Sequence, residues 1–294
     1  MALQSILKST RAQSGSILLF RGKTEMPQVK ANDINLYYEI SGEGPPLLLI
    51  NGYGDHAGHW FCMRPALEGS FKVITFDNRG AGRSDKPDVP YTMKMLAGDA
   101  AALLDSLCIT RANVFGVSMG GMVAQELALG YPQKLNSLVL GCTIPGGINT
   151  VYPETEALAF LLDGERSKRL TPAEMAREMW AYTCTAAFIQ AHPEVGEEYV
   201  RVTTMLAAPP HGLQRQGDAI AGHDIYDRLP GIELPTLVIA GVEDRLVPPQ
   251  NSINLAERIP GAKVVLLEKA GHGFFYEAAE RAGNVITDFL IARH

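Results

Sequence analysis

The feature that most constrains the fold of this chain is a rhythm in which short apolar segments alternate with longer helix-like stretches. Residues 46–50, 71–76, 112–117, 135–140, 236–240 and 263–267 read as strands. Several are apolar on both faces, the pattern of strands buried inside a parallel sheet rather than half-exposed in an antiparallel one. Between them, 93–107, 119–130, 251–259 and 278–292 read as helices, and Gly130, Tyr131 and Pro132 stop the second of these. Ahead of the first central strand, 28–31 and 36–40 form a hairpin, with Asn32 and Asp33 supplying its turn. The expected fold class is therefore α/β: a mostly parallel central sheet with helices on both faces.

The rhythm fails between Thr143 and about Gly222, where helical windows such as 172–182 are separated by breakers such as Pro209 and Pro210. Because strands resume afterwards, the expected organisation is a core of 26–142 and 223–294 with 143–222 as a helical cap over the site. Residues 1–25 are expected to be an extension of unknown role. They hold Lys8, Arg11, Arg21 and Lys23 but no acid before Glu25, a mild likeness to a transit peptide. Domain start near Met26 is the plainer reading.

Composition excludes several function classes. Lys and Arg total 26 against 32 Asp and Glu, and the net charge of −6 argues against nucleic acid as the partner. No apolar run approaches the roughly 20 residues that span a bilayer. Cys62, Cys108, Cys142 and Cys184 are scattered singly, which suits small buried thiols better than a disulfide framework or a metal site. A cytoplasmic location is expected.

Gly116-Val117-Ser118-Met119-Gly120 carries the chemistry. An apolar strand ends at Val117 and a helix-like run begins at Met119, so Ser118 falls on the sharp strand-to-helix turn that exposes a nucleophilic hydroxyl. Serine near neutral pH needs a base that is itself held by an acid, and both are expected later in the chain, acid before base. Asp244 lies just past the segment 236–240, where ligand chemistry gathers in open α/β sheets. Glu243 is the rival acid, expected to point elsewhere if Asp244 points inward. The base is His272, flanked by Gly271 and Gly273 past the last strand; His56, His59, His192, His211, His223 and His294 have the wrong order or position. Asp55, His56 and His59 prompt a metal reading, but no further ligand is arranged near them, so no metal is expected and the histidines are read as lining or supporting the site entrance. No cofactor is implied. The oxyanion of an acyl-transfer intermediate needs two waiting backbone donors, expected at Met119 and at Tyr53 of the Asn51-Gly52-Tyr53-Gly54 loop.

With these residues placed, the chain resembles the α/β-hydrolase superfamily from about Met26 onward. The resemblance rests on Asp77-Asn78-Arg79-Gly80-Ala81-Gly82-Arg83-Ser84, on GVSMGG at 116–121, on GVEDRLVPP at 241–249 and on AGH at 270–272. Within it the chain looks most like the carboxylesterases and 3-oxoadipate enol-lactone hydrolases. Many relatives have a histidine where this chain has Asn51. The resemblance implies a hydrolase acting on a small-molecule ester or lactone; Ser118, where some relatives carry aspartate, argues against dehalogenase and epoxide hydrolase chemistry. Carbon–carbon bond hydrolysis, cofactor-free perhydrolase or haloperoxidase activity, and a non-catalytic small-molecule-binding role remain open alternatives. Gly52, Trp180 and Tyr182 are the expected substrate-binding residues, with Phe188 a further pocket candidate. Oligomeric state is not readable from these residues.

Overall fold

The computed structural model describes residues 27–163, 165 and 169–292. The expected N-terminal extension and His294 lie outside the described residues.

Eight strands form one sheet in the order β1-β2-β4-β3-β5-β6-β7-β8. They are β1 (Gln28–Ala31), β2 (Ile34–Ser41), β3 (Pro46–Ile50), β4 (Lys72–Phe76), β5 (Ala112–Val117), β6 (Leu135–Gly141), β7 (Thr236–Gly241) and β8 (Lys263–Leu267). β2 runs antiparallel to both β1 and β4; from β4 to β8 every pairing is parallel. The hairpin turn places Asn32 at φ 56°, a left-handed conformation that Asn tolerates. β5 and β7 are buried along their whole length, as their two-sided apolar sequence demands, whereas edge strand β8 begins with two exposed residues.

The helices follow the chain as α1 (Met63–Leu67), α2 (Met93–Ser106), α3 (Met119–Gly130), α4 (Thr155–Leu162), α5 (Pro172–Thr183), α6 (Ala186–Ala191), α7 (Pro193–Met205), α8 (Pro210–Ala221), α9 (Gln250–Arg258), α10 (Phe274–Glu277) and α11 (Ala279–Ile291). Two apolar layers flank the sheet. One joins Leu96, Leu103, Val123, Leu127 and Leu255 of α2, α3 and α9 to Leu48, Ile50 and Val114; the other joins Trp60, Phe274, Ile286 and Leu290 to Leu47, Leu49 and Phe115. Alternate residues of one strand thus feed opposite layers.

Between β6 and β7 the described residues contain no strand, only α4 to α8 and short turns. Where this excursion leaves and rejoins the core, Gly146 and Asp224 form an antiparallel bridge and the N–H of Ile225 donates to Pro145 O at 3.0 Å. Its helices have strong starts. Thr171 and Glu174 close a capping box at α5, and the Thr185 hydroxyl accepts from Phe188 N at α6. α8 lies against the core: an added Cβ at Gly212 would stand 2.2 Å from Gly80 O, so the two backbones touch. Among the described residues no helix is long and apolar enough to cross a membrane.

Candidate active site

Ser118 occupies the turn between β5 and α3 with φ 54° and ψ −121°, a region that side chains other than glycine rarely enter. The strain is held from several sides. Ser118 N donates to Gly141 O (2.9 Å), and Ser118 O accepts from Gly121 N (2.9 Å) and from the Thr143 hydroxyl (2.7 Å). Glycine is obligatory beside it, since a Cβ on Gly120 would lie 2.1 Å from Ile50 O. The side chain of Ser118 stays partly open at the start of a helix, while Met119 behind it is buried.

Asp244 is buried on the loop after β7. One carboxylate oxygen accepts from Leu246 N (2.9 Å) and Val247 N (2.8 Å), and the other faces His272 Nδ1 at 2.8 Å. The two loops can meet because Gly241 has no side chain; a Cβ there would lie 2.2 Å from Ala270 O. Val242 N donates to Leu267 O and Glu243 N to Ala270 O, locking the loops in register. Glu243 itself points to solvent. Burial works against a charged His272 imidazole, but the adjoining Asp244 carboxylate outweighs it and holds the ring well above its ordinary pKa.

Cys142, the residue after β6, draws these groups together. Its thiol lies within 4.8 Å of the Asp244 carboxylate and the His272 ring, and it interacts with the Ser118 backbone. Burial raises the thiol's pKa, so it contacts the imidazole as a neutral group. Cys142, Asp244 and His272 have metal-ligand residue types, yet both Asp244 oxygens are already engaged by the loop N–H groups and the imidazole.

The loop after β3 supplies the opposite wall. Asn51 is buried, and its amide donates to Phe76 O (3.1 Å) while its carbonyl accepts from Asn78 Nδ2 (3.1 Å). It ties β3 to β4 and holds the loop's base. Gly54 N donates to Gln216 Oε1 on α8 at 2.8 Å, and Gln216 Nε2 donates to Arg79 O at 2.7 Å. The expected donor residues Tyr53 and Met119 therefore stand on a pinned loop and a helix N-terminus.

The histidines expected to line or support the site entrance, His56 and His59, are buried. His56 Nε2 meets Val202 O at 3.0 Å, and His59 Nε2 meets the Thr203 hydroxyl at 3.1 Å, so both support the helical excursion from below. Desolvation lowers both, His59 to about 4, and both rings are neutral near pH 7. Trp180 is packed in an aromatic cluster, stacked on Tyr199 with centroids 4.8 Å apart and edge-on to Tyr276 at 5.4 Å. Tyr182 is not brought to the site. It stacks on Phe160, donates to Glu156 and lies under Arg245, in a cavity of about 390 Å³ that none of Ser118, Asp244 or His272 lines. Three cysteines are buried as expected, but Cys108 is exposed at φ 55° in the turn after α2, where chain reversal takes precedence over burial. Gln216, Cys142 and Thr143 are site residues that sequence reasoning missed; each acts through a partner distant in the chain, which leaves no local signal.

The model of the α/β hydrolase fold family matches residues 45–279. This chain belongs to the α/β-hydrolase family. It is 31% identical over 243 residues to 3-oxoadipate enol-lactonase 2 of Acinetobacter baylyi, covering 81% of this chain and 86% of that protein. A solved thermophilic esterase from Thermogutta terrifontis superposes on this α/β hydrolase with a TM-score of 0.79 at 31% identity, covering 92% of this chain and all of the other. An enol-lactonase structure from Burkholderia xenovorans LB400 gives 0.78 at 30% identity, with 90% of this chain and all of the other covered.

Proposed function

We propose that this protein is a serine hydrolase of carboxylic esters or lactones that works through an acyl-enzyme on Ser118. The observation that carries the reading is the 2.8 Å bond between His272 Nδ1 and Asp244, beside a serine strained into the elbow conformation. With Nδ1 committed to Asp244, Nε2 is the nitrogen left to accept a proton.

In this mechanism His272 takes the Ser118 proton as the oxygen attacks the substrate carbonyl. The oxyanion rests against the N–H groups of Met119 and Tyr53, each worth roughly 10² to 10³ in rate. His272 then protonates the leaving alcohol, and water repeats the sequence on the acyl-enzyme to release the acid. Asp244 holds the ring tautomer and steadies the imidazolium. In the same reading, 143–222 is a cap that closes over the acyl group. The enzyme works on small molecules in the cytoplasm, a setting that suits its unpaired thiols.

Hydrolysis of p-nitrophenyl esters of increasing acyl length, with Ser118→Ala alongside, tests the proposal. Turnover should peak at one chain length and fall by at least about 10³ in the folded variant. Near-normal turnover by Ser118→Ala would sink the assignment.

A further inference from the structure

One carboxyl group beside the nucleophile has no part in the Ser118–His272–Asp244 arrangement. Asp55 follows the oxyanion loop. A Cβ built on Gly52 would lie 3.4 Å from Asp55 Oδ2 and 3.6 Å from Ser118 Cβ, so the carboxylate and the nucleophile's carbon meet the same point of space. Its other oxygen, Oδ1, stands 3.3 Å from His59 Nε2. The His59 ring is neutral, so the contact is not an ion pair, and Nε2 has the Thr203 hydroxyl as its hydrogen-bond partner at 3.1 Å. A quarter of the Asp55 side-chain surface remains open.

The groups around Asp55 come from every packed element: His56 and His59 of its own loop, Tyr199 and Thr203 of α7, Tyr276 of α10, and His272 of the loop after β8. No Lys or Arg is among them, and burial pushes the carboxyl up to about 7 against the opposing pull of His56 and His272. The Tyr276 hydroxyl is itself buried without a hydrogen-bond partner. A buried hydroxyl without a partner is costly unless a ligand completes it.

We infer that Asp55 is a specificity-determining residue that hydrogen-bonds a hydroxyl on the acyl portion of the substrate, close to the scissile carbonyl. The inference rests on the ester-hydrolase reading above. His272 must reach the leaving oxygen, and Asp55 belongs to the loop that holds the carbonyl oxygen, which places the hydroxyl on the acyl side. A hydroxyl fits better than an ammonium. It pairs with a carboxyl in either protonation state, and burying a substrate charge beside Asp55 would cost far more than burying a neutral group.

The test compares ethyl 3-hydroxybutyrate with ethyl butyrate, using the wild type and the Asp55→Ala and Asp55→Asn variants. In the wild type kcat/KM should favour the hydroxy ester by about tenfold, the worth of one hydrogen bond. The ratio should collapse toward one in Asp55→Ala and be largely kept in Asp55→Asn, whose amide still donates and accepts. An unchanged ratio in Asp55→Ala, no preference in the wild type, or a stronger preference for ethyl 3-aminobutyrate or for 2-hydroxyethyl butyrate would overturn the inference. A parallel measurement does not depend on turnover. Ser118→Ala should bind ethyl 3-hydroxybutyrate about tenfold more tightly than ethyl butyrate by calorimetry, and equal affinities would refute the role of Asp55 even if no ester is hydrolysed.

Discussion

At the scale of single residues, the site places titratable groups in environments that oppose one another. His272 is charged more readily than a free imidazole because Asp244 adjoins it, and a general base must be neutral. The acid limb of kcat/KM should therefore lie above the ordinary histidine value of about 6.5. Asp244→Asn should move that limb to lower pH and cut turnover by about 10⁴, as expected when the imidazole loses its orienting acid. A pH–rate profile of both proteins checks this. Asp55 behaves oppositely. Its folded pKa, about 7, exceeds the ordinary carboxyl value of 3.8, so between these values the folded state binds the extra proton. Folding is penalised progressively as pH rises from 3.8 to about 7, and the penalty is complete above that. Asp55→Asn should raise Tm at pH 8 relative to wild type and lose that advantage below pH 4, a comparison open to calorimetry.

At the scale of elements, the helical excursion is bonded to the loops of the site. α8 reaches the loop after β3 through Gln216, whose amide spans Gly54 N and Arg79 O from a fully buried position. Gln216→Leu strands both backbone groups without partners and should cost about 2 to 4 kcal/mol of stability. In the proposed mechanism it should also lower kcat more than KM, because it loosens the loop that carries the proposed oxyanion donor; chemical denaturation and steady-state kinetics read the two effects. α10 performs a matching service on the other side. Its Glu277 accepts from Gly271 N (2.8 Å), beside His272, and from Thr185 N (3.0 Å) at the start of α6. Gly273 N also donates to Thr183 O of α5 at 2.7 Å. Both halves of the site are thus held by contacts with the excursion.

At the scale of the whole molecule, the sheet is braced by one buried ion pair. Arg79 grips Asp99 of α2 through two hydrogen bonds of 2.8 and 2.9 Å, and both side chains are 2% exposed. Removing one partner should be far worse than the pair's net worth, because the other charge stays buried and unpaired. Arg79→Met should lower stability by about 3 to 5 kcal/mol in urea unfolding, with loss of the Asp33 contact a minor part since Asp33 is exposed.

The sequence by itself determined the elements whose pattern is local and strong. Two-sided apolar runs become buried parallel strands wherever they occur, so β3, β5 and β7 were legible, with their order along the chain. The elbow around Ser118 was legible for a related reason, since the glycines that permit its backbone are adjacent in sequence. Tertiary structure alone decided the rest. Tyr182 and Trp180 stand two residues apart on α5, yet helical geometry turns one outward under Arg245 and the other into the aromatic cluster. The strand order, with β4 inserted between β2 and β3, is fixed by pairing across the sheet and leaves no local trace. Gln216 owes its partners to residues more than a hundred positions away, and Asp55 meets Tyr199 and Tyr276 only through the fold, because burial and hydrogen bonding are set by whatever the fold brings near.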